Sequence, residues 1–270
     1  MKQIDFTTKE ISSSALKAAK KSTRDLLWYY SKPKTSGSHF DFGHAVELYL
    51  LDKAEFAQKV IVFDESQRPF PDKNYQTKAN KDWKDKFYAD NSGPDKHIIS
   101  KTGPESFEAI KQIAELVDMH PASDLLYDKD NEYQKEFRWV CPISGLKRYC
   151  RTDLTNAKTR TIIDIKTYAD DSFERACVKQ DHFLQARDQI QGVLETGEME
   201  DVDYYYWFAI SKSEPYFVDF YSYPVKEDLK VEEIHNSTMH RLKVDIAGDP
   251  YSIPYHRTEI DVIKIPNYYK

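Results

Sequence analysis

In the run Arg160-Thr161-Ile162-Ile163-Asp164-Ile165-Lys166-Thr167, a strand period of two puts Asp164 and Lys166 on one side and Ile163 and Ile165 on the other. The flanking Ile and Thr mark an interior strand, where an unpaired charge costs several kcal/mol. A carboxylate and an ammonium kept together there need a partner, and a metal ion is one candidate; an exposed sheet face is the other. The same D-x-K spacing recurs at Asp82/Lys84 and Asp228/Lys230, in highly charged surroundings that a solvated face explains. The run before it adds weight to Asp164. Lys147, Tyr149, Arg151 and Asp153 alternate to one side, so Asp153 stands near a strand end where a neighbouring strand brings it beside Asp164. Two carboxylates and a lysine from adjacent strands form a hard-cation site of the kind that takes Mg²⁺ or Mn²⁺. A third carboxylate is available from a helix at 41–57. Glu47 follows Gly43 by four positions and shares its face, amid Val46, Leu48, Leu50 and Leu51; a surface glutamate is the plainer reading of it.

The elements that position these groups follow from periodicity and breakers. Residues 10–31 carry an apolar stripe (Ile11, Leu16, Ala19, Leu26, Leu27, Tyr30) that predicts one helix, broken by the polar stretch 32–39. A second helix is expected over 41–57. Residues 64–103 are polar, with Trp83 and Phe87 anchoring a short helix. Thr102-Gly103-Pro104-Glu105 resembles a capping box opening an amphipathic helix through Phe107, Ile110, Ile113 and Val117, which Pro121 ends. Tyr133–Cys141 and Leu146–Leu154 read as a hairpin about the turn at 142–145, and Thr159–Thr167 as a third strand. Residues 171–197 predict one long helix, and 203–210 and 216–223 two aromatic strands about Ser213-Glu214-Pro215. A short helix and a Pro- and Tyr-rich tail follow Lys226. The order helix–three strands–helix–strand predicts an α/β core, a mixed central sheet flanked by helices, with an N-terminal helical elaboration. One domain is expected over 1–270: a helical part at 1–130 carrying Glu47, core sheet and helix at 131–225, and a tail at 226–270. The Tyr204–Phe208 aromatic run is read as strand core rather than as a base-stacking platform.

Composition narrows the function classes. The 270 residues carry 39 Lys+Arg against 45 Asp+Glu, a net charge of −6, and the 14% aromatic content argues against disorder. The longest apolar run, Tyr204–Ile210, is far short of the roughly 20 residues that span a bilayer, and Met1–Asp5 has no apolar leader, so a cytoplasmic protein with no membrane partner is expected. Cys141, Cys150 and Cys177 form no C-x-x-C pair, which disfavours a disulfide framework and an iron–sulfur cluster. No G-x-x-x-x-G-K-[ST], G-x-S-x-G or H-E-x-x-H is present, and His44 and His182 are read as non-ligands. Net acidity counts against nucleic acid as a partner. Locally the balance reverses: Lys147, Arg148, Arg151, Lys158 and Arg160 face only Asp153 between 146 and 160, and Lys9, Lys17, Lys20, Lys21 and Arg24 face only Glu10 between 9 and 24. Both stretches are placed to track phosphates beside the site.

Arg151-Thr152-Asp153 followed by Ile163-Asp164-Ile165-Lys166-Thr167 resembles the RecB-like branch of the PD-(D/E)XK nuclease superfamily. Phe42-Gly43-His44-Ala45-Val46-Glu47 is similar to the helix motif of RecE-type (exonuclease VIII-like) phage exodeoxyribonucleases. So are Ile11–Leu16, Met119-His120-Pro121-Ala122, Lys135-Glu136, Gly145-Leu146-Lys147 and Glu214-Pro215-Tyr216, so the match covers most of 10–225. The resemblance implies a PD-(D/E)XK core and a DNA exonuclease dependent on Mg²⁺ (or Mn²⁺). Such an enzyme digests double-stranded DNA from 5′ ends, leaves 3′ single strands for a recombination annealing protein, and assembles as a homo-oligomeric ring in bacterial or phage-infected host cytosol. It implies that Asp153, Asp164 and the Ile165 carbonyl bind metal. Glu47 joins them where RecE-type proteins often have His and lambda-exonuclease-like relatives Glu. By the same resemblance Lys166 positions the attacking water and the scissile phosphate, and Gln185 touches the DNA backbone. The Tyr usually found four positions on is Gln189 here, which with Glu136 is expected to support the site from behind. Arg151, Lys147 and Arg148 complete the expected DNA-binding set. The alternatives are a same-fold structure-specific or restriction-like endonuclease, and a non-catalytic DNA-binding or interaction module.

Overall fold

The structure, a computed structural model, describes residues 4–32, 38–73, 75, 77–93 and 95–251; the expected tail after 251 and most of the 32–39 break lie outside them. Serines and aspartates divide the helices more finely than apolar periodicity suggests. Ser12 Oγ accepts from the Ala15 N–H to open α1 (Ser13–Lys21), and Ser22, extended at φ −166°, ends α1 and caps α2 (Thr23–Ser31) by accepting from Asp25 N–H. The expected single helix over 10–31 is therefore two, because a side-chain cap satisfies N–H groups that would otherwise lack partners. Likewise Asp52 accepts from Glu55 N–H and separates α3 (Ser38–Leu51) from α4 (Lys53–Lys59). The amphipathic helix α6 (Phe107–Met119) begins later than the Thr102 box suggests, since Ser106 caps it by accepting from Ala109 N–H. Between α4 and α6 lies a parallel pair that the polar sequence conceals, β2 (Val60–Phe63) and β3 (His97–Ser100). It encloses α5 (Lys78–Asn91), whose Trp83 and Phe87 rings sit 5.0 and 4.8 Å from that of Phe63.

The remaining strands are β1 (Ile11–Ser12), β4 (Glu132–Tyr133), β5 (Glu136–Val140), β6 (Lys147–Arg151), β7 (Leu154–Asn156), β8 (Thr161–Tyr168), β9 (Tyr204–Ser211) and β10 (Val218–Tyr223), with α7 (Ser123–Leu126) before them. They form a five-stranded sheet, β10-β9-β8-β7-β4, and a three-stranded one, β1-β6-β5. The larger sheet is mixed: β8 runs parallel to β9 and antiparallel to β7. The expected hairpin is β5–β6, with Glu136 opposite Arg151, but its arms do not stay in one sheet. Both bend together, at Gln134-Lys135 and Thr152-Asp153. There Gln134 N–H donates to Asp153 O at 2.9 Å, and Thr152 N–H to Lys135 O at 3.1 Å.

Both faces of the larger sheet are covered. Ile163, Ile165, Phe208 and Ile210 pack with Phe42 and Val46 of α3 and Ile110 and Ile113 of α6. Ile162, Tyr205 and Trp207 pack on the other face with Phe173 of α8 (Phe173–Lys179) and Ile190 and Val193 of α9 (His182–Glu195). Each such side chain contributes about 1.5–3 kcal/mol by leaving water, so a mixed α/β layering follows from strands apolar on both faces. The aromatic run is thus mainly core: Tyr205, Trp207 and Phe208 are buried, while Tyr204 is exposed. The helix expected over 171–197 is broken at Gln180-Asp181, with Asp181 in the left-handed region at φ +53°. The short helix expected after Lys226 is instead α10 (Leu229–Ala247), 19 residues long, whose Met239 and Leu242 close a third core with Ile11, Leu16 and Leu26. Among the described residues no helix is long and apolar enough to cross a membrane.

Candidate active site

The discontinuity between the two sheets creates the site. β7 pairs with β8 only as far as Leu154 opposite Ile163. Beyond that point the β8 ladder is open on this side, and the Ile165 N–H donates instead to Asp153 Oδ2 at 2.6 Å. Asp164 is fully buried on the α9 side of β8, and Lys166 Nζ lies 2.5 Å from its Oδ2. Gln189 bridges the gap from behind. Its amide donates to Arg151 O at 2.8 Å, approaches Asp164 Oδ1 at 3.4 Å, and accepts from Tyr205 OH at 2.5 Å.

Glu47 arrives from the opposite layer. Gly43 lets α3 close on β8, since a Cβ there would stand 3.1 Å from Thr167 Oγ1. One turn later Glu47, also buried, accepts from Gln134 Nε2 at 3.0 Å and has His44 Nδ1 3.6 Å from its other oxygen. Gln134 reaches it from a left-handed backbone, φ +46°, a conformation that costs a non-glycine residue about 1 kcal/mol or more and often accompanies function.

The three carboxylates and the lysine act on one another. Burial, then repulsion from Glu47 and Asp164, raises the Asp153 carboxyl well above its ordinary value. For Lys166 burial acts downward, but Asp164, Asp153 and Glu47 outweigh it and hold the ammonium protonated. For Glu47 burial acts upward and is outweighed by His44, Arg151 and Lys166, leaving it below the usual range. The cluster opens on a cavity of about 730 Å³ lined by Lys17, Glu47, Arg151, Asp153, Lys166 and Gln185, among others. Among the described residues no three His, Cys, Asp or Glu side chains stand together as a ready-made ion cage. In donor chemistry the set nonetheless suits a hard divalent cation. Its atoms are all oxygens, and Asp153 is pressed by like charges that a cation would relieve.

The other expected site residues divide. Gln185 and Arg151 line the cavity, Gln185 accepting from Lys17 Nζ at 2.8 Å. Arg148 is corrected. It points inward, 1% exposed, ion-paired with Asp188, which also accepts from Ser13 Oγ at 2.7 Å and meets His235 Nε2 at 3.3 Å. An arginine sealed between β6, α9 and α10 cannot reach a phosphate. Lys147 is exposed but opens on a different cavity, with Asp5 and Tyr251. Glu136 is exposed and bonded to Arg138 at 2.7 Å and Tyr149 at 2.9 Å; it stands opposite Arg151 but does not itself line the cavity. Elsewhere in the basic excess at 146–160, Lys158 pairs with Asp130 and Arg160 with Asp203 at the surface. Gln134 was not among the expected site residues; His44 and His182, expected as non-ligands, both line the cavity. Lys17 stood in the basic stretch at 9–24. Its place four residues after Ser13, on the face toward α9, was the available signal.

No protein-family profile matches the sequence, and no curated protein matches it. Solved structures do align with it, among them the following two. The crystal structure of SSO0001 covers 80% of this chain and 90% of its own at 13% identity, with a TM-score of 0.33 that supports no comparison. The crystal structure of a "Putative exonuclease" from Eubacterium rectale covers 92% of this chain and 85% of its own at 10% identity, with a TM-score of 0.54. The chain therefore shares a mixed α/β fold with that protein.

Proposed function

We propose that the chain is a metal-dependent deoxyribonuclease, an exonuclease of RecE type built on a PD-(D/E)XK core. The observation that carries this reading is the convergence of Asp153, Asp164 and Lys166 at the break between the two sheets, with Glu47 brought across by α3. Phosphodiester hydrolysis needs negative charge neutralised on the phosphate, a water activated and the departing alkoxide stabilised. Glu47, Asp153, Asp164 and the Ile165 carbonyl would hold Mg²⁺ or Mn²⁺, which when bound supplies these needs. Lys166, kept protonated by its three carboxylate neighbours, offers a positive charge where the transferring phosphoryl group gathers negative charge. Arg151 and Gln185 line the same cavity and are placed to seat the flanking backbone.

The finer reading is digestion of double-stranded DNA from 5′ ends by a ring-shaped homo-oligomer in the cytoplasm, leaving 3′ strands for an annealing partner. Incubation of end-labelled linear duplex and covalently closed circles with Mg²⁺ tests it. Release of 5′ mononucleotides from linear DNA alone supports the exonuclease. Cutting of closed circles points to the endonuclease reading, and calorimetry showing no Mg²⁺ or Mn²⁺ binding, with both DNAs intact, points to a non-catalytic module.

A further inference from the structure

The cavity extends past the carboxylates to His182 and Gln185 at the start of α9. His182, the first residue of α9, is 4% exposed and lines the cavity; neither ring nitrogen makes a well-formed hydrogen bond, the Gln185 side chain standing near enough only to act on it weakly. A buried imidazole whose nitrogens are both poorly matched is rare, because each unmade bond leaves the desolvation of a polar group uncompensated. Its ring is held in place against Phe173, centroids 6.0 Å apart and 18° from parallel. Asp181, at the cap position, gives the helix no side-chain bond, and its carboxylate pairs with Lys20 instead. The first-turn N–H groups of this 14-residue helix are thus left uncapped. Lys17 of α1 reaches the same place, its ammonium held by Gln185 Oε1 at 2.8 Å. The nearby carboxylate of Asp170 is occupied by Lys179 at 2.9 Å.

We infer that this end of the cavity is a second phosphate-binding position, separate from the metal end, in which Lys17, the His182 N–H and the first-turn amides of α9 bind one phosphate group of the substrate. A helix N-terminus with unpaired amides attracts an anion through directed donors and the helix dipole together. Burial and the nearness of Lys166 lower the Lys17 ammonium to about 8. Burial, Lys166 and Lys17 lower His182 to about 2, the Gln185 amide opposing them only weakly, so the imidazole is neutral with one N–H to donate. A buried ammonium at Lys17, beside the imidazole N–H and the uncapped amides of α9, is the complement of an oxyanion. The phosphate is either a terminal monoester or an internal diester, and the identification of the ligand as DNA phosphate rests on the nuclease reading.

Inorganic phosphate titrated into the full chain in EDTA, followed by calorimetry and by the imidazole nitrogen NMR signals of His182, tests the site without any metal or cleavage. A saturable shift of His182 is expected, with binding about tenfold or more weaker in Lys17→Met, the loss of one charge-assisted hydrogen bond. His182→Phe, which keeps the ring stacking, should weaken it in the same direction. No saturable binding by the wild-type chain, or a His182 signal that phosphate leaves unmoved, overturns the site whatever the variants do. Duplexes with 5′-phosphate and 5′-hydroxyl ends then separate the sources: tighter binding of the former identifies a monoester, equal binding a diester, and neither competing with inorganic phosphate overturns the assignment to DNA. Cleavage of linear DNA by a chain that binds no phosphate would retain the nuclease reading and remove this one.

Discussion

At the residue scale the site depends on charges that only make sense together. Lys166 is stabilised as an ammonium by three carboxylates. Lys166→Ala is expected to lower kcat by about 10²–10³-fold, the size seen when one preorganised electrostatic donor is removed, with KM for DNA moved much less. Steady-state cleavage kinetics check it. Asp153 gives a prediction on stability. Its folded pKa lies well above its ordinary 3.8, so its contribution is full below that value and is lost as pH rises through the folded value. The metal-free wild-type chain should therefore lose stability above the carboxylate range relative to Asp153→Asn, whose amide oxygen still accepts from Ile165 N–H. Melting curves in EDTA at pH 4, near the ordinary carboxylate value, and at pH 8, well above it, should show the variant's advantage at the higher pH only. Asp164 and Lys166 were legible as a pair, because period-two alternation is robust in a strand of Ile and Thr. Gln134 was not. Nothing in a Tyr-Gln-Lys run announces a left-handed residue whose amide crosses 87 positions to Glu47.

At the element scale, close approach decides whether those residues meet. Gly43 sets the gap between α3 and β8, and Gly192 that between α9 and the hairpin, where a Cβ would lie 2.7 Å from Cys150 Sγ and 2.8 Å from the Trp139 ring. Gly192→Ala overpacks a buried seam and should cost about 1–3 kcal/mol in denaturant unfolding. Gly43→Ala meets only a hydroxyl at 3.1 Å, so its stability cost should be smaller while its loss of activity is larger, since it moves Glu47. The reverse ranking of the two variants would contradict this division of roles. Arg148→Met leaves Asp188 with His235 and Ser13 alone, and removal of one member of a buried ion pair typically costs about 3–5 kcal/mol. The elements themselves were readable wherever amphipathicity was strong, as in α6 and the β5–β6 hairpin. Their divisions were not, since Ser22, Asp52 and Asp181 interrupt helices by local capping or backbone conformation that an apolar stripe does not register. The passage of the hairpin from one sheet to the other was equally hidden: alternation continues through Thr152-Asp153 while the pairing partner changes.

At the scale of the whole molecule, the net charge of −6 and the proposed substrate are reconciled by placement. Three of the acidic residues stand in the cluster, while Lys17, Lys166 and Arg151 face the same cavity. The local basic excess seen in the sequence was a poorer guide than it looked, because Arg148, Lys158 and Arg160 are consumed by Asp188, Asp130 and Asp203. Light scattering should report a homo-oligomer if the ring proposed from the sequence resemblance is correct, and a monomer at all concentrations would remove it without touching the chemistry. The most direct measurement is the fate of linear duplex DNA incubated with the purified chain in Mg²⁺, in EDTA, and with the Lys166→Ala variant in Mg²⁺. Degradation by the wild-type chain in Mg²⁺ alone is the predicted result. Linear DNA left intact by the wild type in Mg²⁺, or degraded equally by the variant, would contradict the account.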